Sequence, residues 1–253
     1  QWHTLKQQES VRIRDAAERL GCSELELLVG AMERPDLHPG LSARQITGSL
    51  AECFTRVSEL GTVMALSRND AVVSETHGDY GEVHQRGQAA VVHSENIDLR
   101  VDFTHWHYGF VVHMSSHGRV LDSLQFFDCD GTAVHKIYLD EGSDRAVFDE
   151  IKASASSQPP QLSLAPAAPS PDTLGRSKVD RAELRDRWRK LTNVHQFTGM
   201  LKQLGVSRLT AVKAVGEEFA RPAAKDAHCR LLQAARDERI PLMVFVRSPG
   251  CTQ

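Results

Sequence analysis

The chain has 253 residues, of which 41% are hydrophobic and 25% are charged, a mixture typical of globular domains. The formal net charge of −3 gives no overall attraction to nucleic acid or to an anionic membrane surface. No apolar run approaches the roughly 20 residues of a membrane span, and the start QWHTLKQQES lacks the basic-then-apolar order of a signal peptide. We therefore expect a cytoplasmic protein with no membrane span.

The cysteines and histidines differ in what they indicate. The five cysteines are Cys22, Cys53, Cys129, Cys229 and Cys251. They are scattered and show no CxxC or CxxH spacing, so the sequence predicts reduced thiols and neither a disulfide framework nor a zinc site. The twelve histidines are many for this length, and a neutral imidazole is a common ligand of metal ions.

Residues 9 to 60 have the pattern of helices. VRIRDAAERLG carries apolar residues at helical spacing and leads through a glycine-containing turn to SELELLVG. The later segment ITGSLAECFTRVSELG has the same spacing. We therefore predict an α-helical N-terminal part.

From Gly61 onward the hydrophobic period changes to that of strands. Short runs rich in β-branched and aromatic residues alternate with turn residues such as SRND, HGDYG and DCDG. The runs are TVMALS, AVVSE, AAVVHS, IDLRVDF, GFVVHM, VLDSLQFFD and TAVHKIYL. This succession predicts an antiparallel sheet.

A segment rich in Ala, Ser and Pro divides the chain. Residues 153–178 contain few aromatic side chains and cannot bury enough surface to fold, so they are predicted to be a flexible linker. Helical spacing returns from about Asp180 to Arg239, and IPLMVFVRSPGCTQ follows. The predicted organisation is a complete module over 1–152, the linker, and a partial second module over 179–253.

The two helical parts are related in sequence. LGCSEL at residue 20 aligns with LGVSRL at residue 204, and TVMALSRNDAVV at residue 62 runs parallel to PLMVFVRSPGCT at residue 241. The second copy stops after its first strand, and a lone strand would leave an exposed sheet edge. We therefore expect either a truncated chain or a strand that pairs elsewhere.

His195 stands within the predicted helix LTNVHQFTGMLKQLGVS. Its counterpart in the first copy is Val11, so the packing of this helical unit does not require an imidazole. The side chain is expected at the margin of the apolar stripe, a position that suits a ligand facing a cleft. The alternative is a half-exposed histidine that is hydrogen-bonded to water or to a backbone carbonyl.

Arg100 lies in the predicted strand SENIDLRVDF. Alternation would put Ile97 and Leu99 on one face and Asp98 and Arg100 on the other. An arginine that lines a cleft can clamp a carboxylate or lie against a flat π system. The alternative is a solvent-facing arginine paired with Asp98 or Asp102.

Two short motifs raise the possibility of metal binding. HWH at 105–107 would place two imidazoles on one face of an extended segment, but a third ligand at fixed spacing is missing, and an edge strand with Trp106 turned inward is favoured. DCDG at 128–131 resembles the start of a calcium loop, but Leu139 stands where that loop needs glutamate. A hairpin turn is therefore predicted there.

Other functional classes have less support. The sequence contains no GxSxG, P-loop, HExxH or GxGxxG motif, which disfavours the corresponding hydrolases, nucleotide-binding enzymes, zinc proteases and dehydrogenases. RDAAERLGCSELELL has the spacing of a helix-turn-helix, which makes DNA binding a rival function. Its second helix carries Glu24 and Glu26, and negative charge disfavours entry into the major groove.

Several segments resemble the bacterial hemin-degrading factors of the HemS/HmuS/ChuS type. They are LGTVMALSRNDAVVSETHGDYG, IDLR, HWHYGFVV, SLQFFDCDGTAVHKIYL, WRKLTNVHQF and IPLMVFVRSPGC. The resemblance implies an α+β fold: helices followed by a large antiparallel β-sheet, then a linker and the helical start of a second, similar module. It also implies haem binding in the cytoplasm, in a cleft between the N-terminal sheet and the C-terminal half, and a continuation beyond the last residue of this chain.

The resemblance implies roles for individual residues. His195 matches the proximal iron ligand, Arg100 the distal arginine over the other haem face, and Phe245 an aromatic residue that lines the pocket. The family usually has an aromatic two residues after the arginine, where this chain has Asp102 followed by Phe103. Phe103 is a further candidate for the pocket, although a shift of one residue moves a side chain to the other sheet face.

The function implied by the resemblance is that of a haem-binding protein of haem-iron uptake. It would sequester imported haem b (iron protoporphyrin IX) and deliver it for degradation, with a haem importer and a haem oxygenase as partners. The alternative is an oxygenase that itself cleaves the porphyrin and releases iron with the help of an electron donor. Both functions require His195, a distal polar group and an apolar pocket.

Overall fold

The structure is a computed structural model. It describes residues 1–9, 11–116, 118–166, 178–193 and 196–253. Contacts divide the chain into two compact units: the first comprises Gln1–Ala167 with Phe245–Gln253, and the second comprises Ala168–Val244. No helix among the described residues is long and apolar enough to cross a membrane.

The described helices of the first unit are α1 (Trp2–Gln8), α2 (Ile13–Leu20), α3 (Glu24–Glu33), α4 (Leu50–Thr55) and α5 (Arg145–Ser154). The α2–α3 turn follows from its sequence. Gly21 ends α2 with a φ of 67°, which glycine adopts without steric cost. Ser23 then begins α3, where its hydroxyl accepts from the Glu26 amide and the Glu26 carboxylate accepts from the Ser23 amide.

The strands of the first unit form two antiparallel sheets. The described strands are β1 (Leu41–Gln45), β2 (Gly61–Arg68), β3 (Val73–Gly78), β4 (Val83–Arg86), β5 (Ala89–His93), β6 (Asp98–Asp102), β7 (Tyr108–Ser116), β8 (Arg119–Phe127), β9 (Ala133–Ser143), β10 (Arg247–Ser248) and β11 (Cys251–Thr252). The six-stranded sheet has the order β1-β7-β8-β9-β2-β3, and the five-stranded sheet has the order β10-β11-β6-β5-β4.

Two hydrophobic cores hold these layers together. The first contains buried side chains of both sheets, such as Leu124 of β8 and Leu99 of β6. The second lies on the opposite face of the six-stranded sheet and includes Leu25 of α3. Because strand side chains alternate, Val111 of β7 belongs to the first core and its neighbour Phe110 to the second.

The α+β class is as predicted, and the structure differs from the expectation in detail. Each predicted strand run contributes to a strand, but the strands divide between two sheets. Residues 41–45, within the segment predicted to be helical, form β1 at the edge of the six-stranded sheet. Residues 83–86 form the unpredicted edge strand β4. Both missed strands are short and have weak local signals: β1 depends on pairing with the distant β7, and β4 forms a tight hairpin with β5.

The last residues pair with the first unit. Cys251 lies opposite Val101 of β6 and is buried, so β11 extends the five-stranded sheet and not a second one. This pairing differs from the assignment of residues 245–253 to a second module. Because β11 adds to an existing sheet edge, its backbone groups are paired there.

The first part of the predicted linker lies against the first unit. Ser156 forms a two-way backbone bridge with Gln45, and the Ala165 amide donates to the Cys129 carbonyl at 2.9 Å. The Tyr108 hydroxyl donates to the carbonyl of Ser163. Residues 155–166 are therefore held by the sheet, in contrast to the flexible linker that their composition suggests, while residues 167–177 lie outside the described part of the chain.

The described helices of the second unit are α6 (Arg181–Arg189), α7 (Gln196–Leu204), α8 (Arg208–Val215) and α9 (Ala227–Asp237). The first three of these helices enclose a small core that includes Leu184, Met200 and Val215. The α7–α8 turn repeats the local geometry of the α2–α3 turn: Gly205 has a φ of 61°, and the Ser207 hydroxyl accepts from the amide three residues later. The sequence similarity between LGCSEL and LGVSRL therefore corresponds to a shared turn.

Candidate functional site

Arg100 lies in the middle of β6 on the outer face of the five-stranded sheet. Its neighbours Leu99 and Val101 are buried in the core on the other face. The Arg100 side chain is 46% exposed. The alternation predicted for this strand is therefore present, and the guanidinium is available to a ligand on the outer face.

Two groups of the described residues contact the Arg100 guanidinium. Its Nη1 atom lies 3.4 Å from Oδ1 of Asp98, and its central carbon lies 5.2 Å from the centroid of the Phe245 ring. Exposed contacts of these kinds each stabilise by roughly 0.5 to 1 kcal/mol. These contacts are weak enough for the guanidinium to change partners when a stronger acceptor arrives.

Arg100 is at the centre of a row that crosses the sheet. Residues opposite each other on antiparallel strands point to the same face. The row consists of His84, Val91, Arg100, Thr252 and Arg247. Apart from the half-buried threonine, its members are exposed, so this face offers two guanidinium groups, an imidazole and an apolar side chain. Such a face can receive a ligand that is partly apolar and carries anionic groups.

In the structure Phe245 lies beside Arg100, whereas Phe103 lies elsewhere, in the core. The Phe245 ring is 54% exposed, whereas Phe103 is only 7% exposed. Phe103 packs in the core, with ring centroids 5.8 Å from Phe54 and 5.2 Å from Trp106. Because Phe103 is three positions after Arg100, it lies on the opposite face of the chain. Its inclusion among the pocket residues is therefore at odds with its burial.

His195 lies outside the described residues. The neighbouring part of the second unit contains a cavity of about 570 Å³. The residues that line it are Trp188, Leu191, Thr192, Asn193, Phe197, Arg208 and Val212. Asn193 and Phe197 come two residues before and two residues after position 195 in the sequence. The volume lies in the range of small-molecule sites, and most of the lining is apolar.

Aromatic rings shape this cavity. Trp188 and Phe197 make an edge-to-face contact with centroids 4.8 Å apart, and the Arg208 guanidinium lies 5.0 Å from the Phe197 centroid. These contacts fix both rings across the α6–α7 and α7–α8 connections. The cavity therefore combines flat apolar walls with a cation.

The second unit ends in an exposed apolar segment. Its large exposed side chains are Ile240, Leu242, Met243 and Val244. Consecutive exposed residues of this kind are unusual on a monomer and mark surfaces that bind ligands or partners. The sequence repeat predicted a strand in this segment and gave no indication of its exposure.

The segment with the most specific resemblance, SLQFFDCDGTAVHKIYL, has a structural role. His135 is fully buried, with Nε2 2.5 Å from the Tyr80 hydroxyl and Nδ1 2.9 Å from the Ser67 hydroxyl. The Ser67 oxygen also lies 3.5 Å from Cys251 Sγ. Burial lowers the pKa of His135 to about 3 and raises that of Cys251 to about 12. This network of neutral groups ties β11 to β2 and β9.

The next residue of that segment also acts within the core. Lys136 Nζ lies 2.6 Å from Glu24 Oε2, and both side chains are buried. Burial alone would lower the pKa of Lys136, but the Glu24 carboxylate more than compensates and the pKa is raised. Since Glu24 and Leu25 of α3 pack into the unit, the second helix of the apparent helix-turn-helix turns these side chains inward.

These features define a class of α+β protein in which helices and two antiparallel sheets precede further helices. The chain belongs to the HemS family: the family model for the haemin-degrading HemS.ChuX domain matches residues 28–154. The hemin transport protein HemS of Yersinia enterocolitica is 31% identical over 242 residues, which cover 95% of this chain and 68% of that protein.

Solved structures of related proteins are similar over the whole chain. Holo-PhuS, a heme-binding protein from Pseudomonas aeruginosa, has 31% identity and a TM-score of 0.85. The heme degrading enzyme ChuS from Escherichia coli O157:H7 has 26% identity and a TM-score of 0.88. In each case the match covers 100% of this chain and 72% of the other. The fold is therefore shared with a heme-binding protein and with a heme degrading enzyme.

Proposed function

We propose that this chain is a cytoplasmic haem-binding protein of haem-iron uptake, which sequesters imported haem b and delivers it for degradation. The observation that carries this proposal is the similarity along nearly the whole chain to a hemin transport protein and to a heme-binding protein. A haem importer would supply the cargo, and a haem oxygenase would receive it. We further propose the division into a module over 1–152, a connection over 153–178 and a partial second module over 179–253, whose last strand pairs with β6.

The proposed ligand of haem iron is His195. A neutral imidazole binds haem iron axially, and the first-copy counterpart of this residue is Val11, which has no ligand atom. The apolar cavity lined by the sequence neighbours Asn193 and Phe197 supports the choice, because a porphyrin needs flat apolar walls.

The proposed group on the opposite haem face is Arg100, accompanied by Phe245. Arg100 is exposed, and within the described part of the chain its guanidinium contacts the acidic neighbour Asp98 and the Phe245 ring. A guanidinium in this position can bind a haem propionate or hold a water, while the Phe245 ring can lie against the macrocycle. Phe103 is left out of this set because its ring is fixed in the core.

A haem titration followed by the Soret band tests this assignment. We expect one haem per chain, and about tenfold weaker binding in Arg100→Ala, because a hydrogen bond to a charged group contributes roughly 1.5 to 3 kcal/mol. Arg86→Ala is the matched control, since Arg86 is an exposed arginine of the same sheet on edge strand β4. Equal affinities for both variants would remove Arg100 from the site.

A second function is an oxygenase that itself cleaves the porphyrin. It is favoured by the similarity to the heme degrading enzyme ChuS. It would use the same residues, with an electron donor and dioxygen as further reactants. Residues that only bind and orient the haem serve either function, so the reaction products must decide.

The two functions are separated by loading haem without oxygen and then supplying electrons and dioxygen. A linear tetrapyrrole with released iron, formed equally in the presence of catalase, would establish the oxygenase. Intact haem, or bleaching that catalase abolishes, would leave the carrier function.

A further inference from the structure

The structure brings together two sequence motifs, HWH at 105–107 and DCDG at 128–131. The backbone amide of His107, in HWH, donates to the Phe127 carbonyl at 2.8 Å. This bond places His105 and His107 beside the start of DCDG, in the β8–β9 turn. HWH itself forms a short turn and loop with Trp106 buried, in place of the predicted edge strand.

Asp128 is the centre of the resulting cluster. Its side chain is 3% exposed, and its two oxygens have different imidazole neighbours: Oδ1 lies 3.3 Å from Nδ1 of His107, and Oδ2 lies 3.3 Å from Nδ1 of His105. The Cys129 amide donates to Oδ1 at 2.7 Å and thereby orients the carboxylate. Among the described residues these imidazoles are its ion-pair partners, so a buried carboxylate here lacks the lysine or arginine that usually accompanies one.

Cys129 adds a third kind of ligand atom. One nitrogen of His107, one oxygen of Asp128 and Sγ of Cys129 all lie within 4.8 Å of one another. Zinc bonds of about 2.0 to 2.3 Å place the ligand atoms of a tetrahedral site about 3.3 to 3.6 Å apart. The separation of His107 Nδ1 from Asp128 Oδ1 already has this value, and the sulfur needs to approach by about 1.3 Å at most.

The surrounding geometry favours a metal ion over simple ion pairing. The 3.3 Å separation between His107 Nδ1 and Asp128 Oδ1 exceeds the roughly 2.7 to 2.9 Å of a charge-assisted hydrogen bond. The His107 side chain is 44% exposed, which gives an ion access from solvent, whereas Asp128 provides a fixed buried ligand. Gly131, with a φ of 82°, closes the turn that presents Asp128 and Cys129.

We propose that His107, Asp128 and Cys129 form a binding site for one divalent cation of the zinc class. A water completes the tetrahedron, and His105 holds the second oxygen of Asp128 from outside the coordination shell, as groups behind metal ligands commonly do. The set of nitrogen, oxygen and sulfur atoms suits zinc or cobalt(II) and does not suit calcium or magnesium, which prefer oxygen ligands. The site lies in the first unit and shares no residue with the proposed haem ligands.

Binding at this site releases a proton. A metal ion binds the thiolate form of cysteine, whereas an unliganded cysteine is mainly a thiol at neutral pH. When the cation binds, the sulfur–hydrogen bond breaks, the proton passes to the buffer and a metal–thiolate bond forms. The cation thereby joins the HWH loop to the β8–β9 turn.

The test is a cobalt(II) titration of the haem-free full chain after removal of metals with a chelator. We expect one cobalt ion per chain, with the near-ultraviolet charge-transfer absorption of a cobalt–thiolate bond and the visible bands of a tetrahedral ion. One equivalent of zinc should abolish both signals. Binding should also raise the melting temperature, because the ion binds only the folded protein.

Matched variants assign the ligands. Cys129→Ser should lose the charge-transfer band, and His107→Ala should weaken binding at least tenfold. Cys229→Ser and His77→Ala, which change an exposed cysteine and an exposed histidine elsewhere, should leave both properties unchanged. His105→Ala should weaken binding about tenfold while it keeps the charge-transfer band, as expected of a group that orients a ligand.

Circular dichroism and the melting temperature of each metal-free variant separate loss of the site from loss of the fold. Cobalt binding without thiolate absorption in the folded wild-type chain would overturn the proposal. A band that persists in folded Cys129→Ser, or binding that falls equally in His77→Ala and His107→Ala, would also overturn it.

Discussion

Acidification is expected to destabilise this protein through the buried His135. In the folded chain its ring nitrogens lie against the Tyr80 and Ser67 hydroxyls, and burial lowers its pKa from 6.5 to about 3. In the unfolded chain the imidazole is in water and takes up a proton near pH 6.5. The unfolded state therefore binds more protons between pH 6.5 and pH 3, so the free energy of unfolding falls as the pH falls through this range.

The pKa difference fixes the size of the effect. A difference of about 3.5 units, from 6.5 to about 3, corresponds to at most about 5 kcal/mol over the whole range. About 2 kcal/mol of this is lost between pH 7 and pH 5, before most carboxylates take up protons. A typical domain is stable by about 5 to 15 kcal/mol, so the loss is large enough to measure and to matter.

Urea unfolding at several pH values between 7 and 5 tests the reasoning. His135→Gln removes the titrating group, so its free energy of unfolding should change by about 2 kcal/mol less than that of the wild type over this interval. His228→Gln, in which an exposed histidine of α9 is replaced, should keep the wild-type slope. Equal slopes in the wild type and His135→Gln would refute the assignment of acid sensitivity to this residue.

Three further substitutions test the packing of α3, each by urea unfolding at pH 7. Lys136→Met should destabilise the chain by about 3 to 5 kcal/mol, because it leaves the buried Glu24 carboxylate without its cation; a cost below about 1 kcal/mol would contradict this view of the pair. Ser23→Ala should cost about 1 kcal/mol through loss of the capping box, and no loss would show that the cap is dispensable. Gly131→Ala should cost about 2 kcal/mol or more, since its φ is 82° and a methyl group would meet the Ser23 hydroxyl; an unchanged midpoint would contradict this geometry.

The helices and strands could be predicted from the sequence better than the pairing of the strands. Strands such as β6 were predictable because alternation with period two is a local signal. The split into two sheets was not, because register depends on contacts between distant residues, such as that of Cys251 with Val101. The α2–α3 and α7–α8 turns were found through the sequence repeat, since Gly21 and Gly205 encode their own conformation.

The same difference between local signals and distant contacts applies to the candidate site. Alternation predicted that Arg100 would lie on the face opposite Leu99, and the structure agrees. Its contact with Phe245 joins residues far apart in sequence, and only the family resemblance indicated it. The approach of His107 to Asp128 could not be predicted from either motif alone, because it depends on the register of the β7–β8 hairpin.

Ligation of haem iron by His195 is the central claim. The spectrum of the haem complex of His195→Gly tests it most directly. We expect this variant to lose the wild-type Soret and visible bands and to regain them when free imidazole is added, because the added ligand can occupy the space of the missing side chain. His228→Gly, which removes an exposed histidine of α9, should keep the wild-type spectrum throughout. A wild-type spectrum in His195→Gly without imidazole would contradict the central claim.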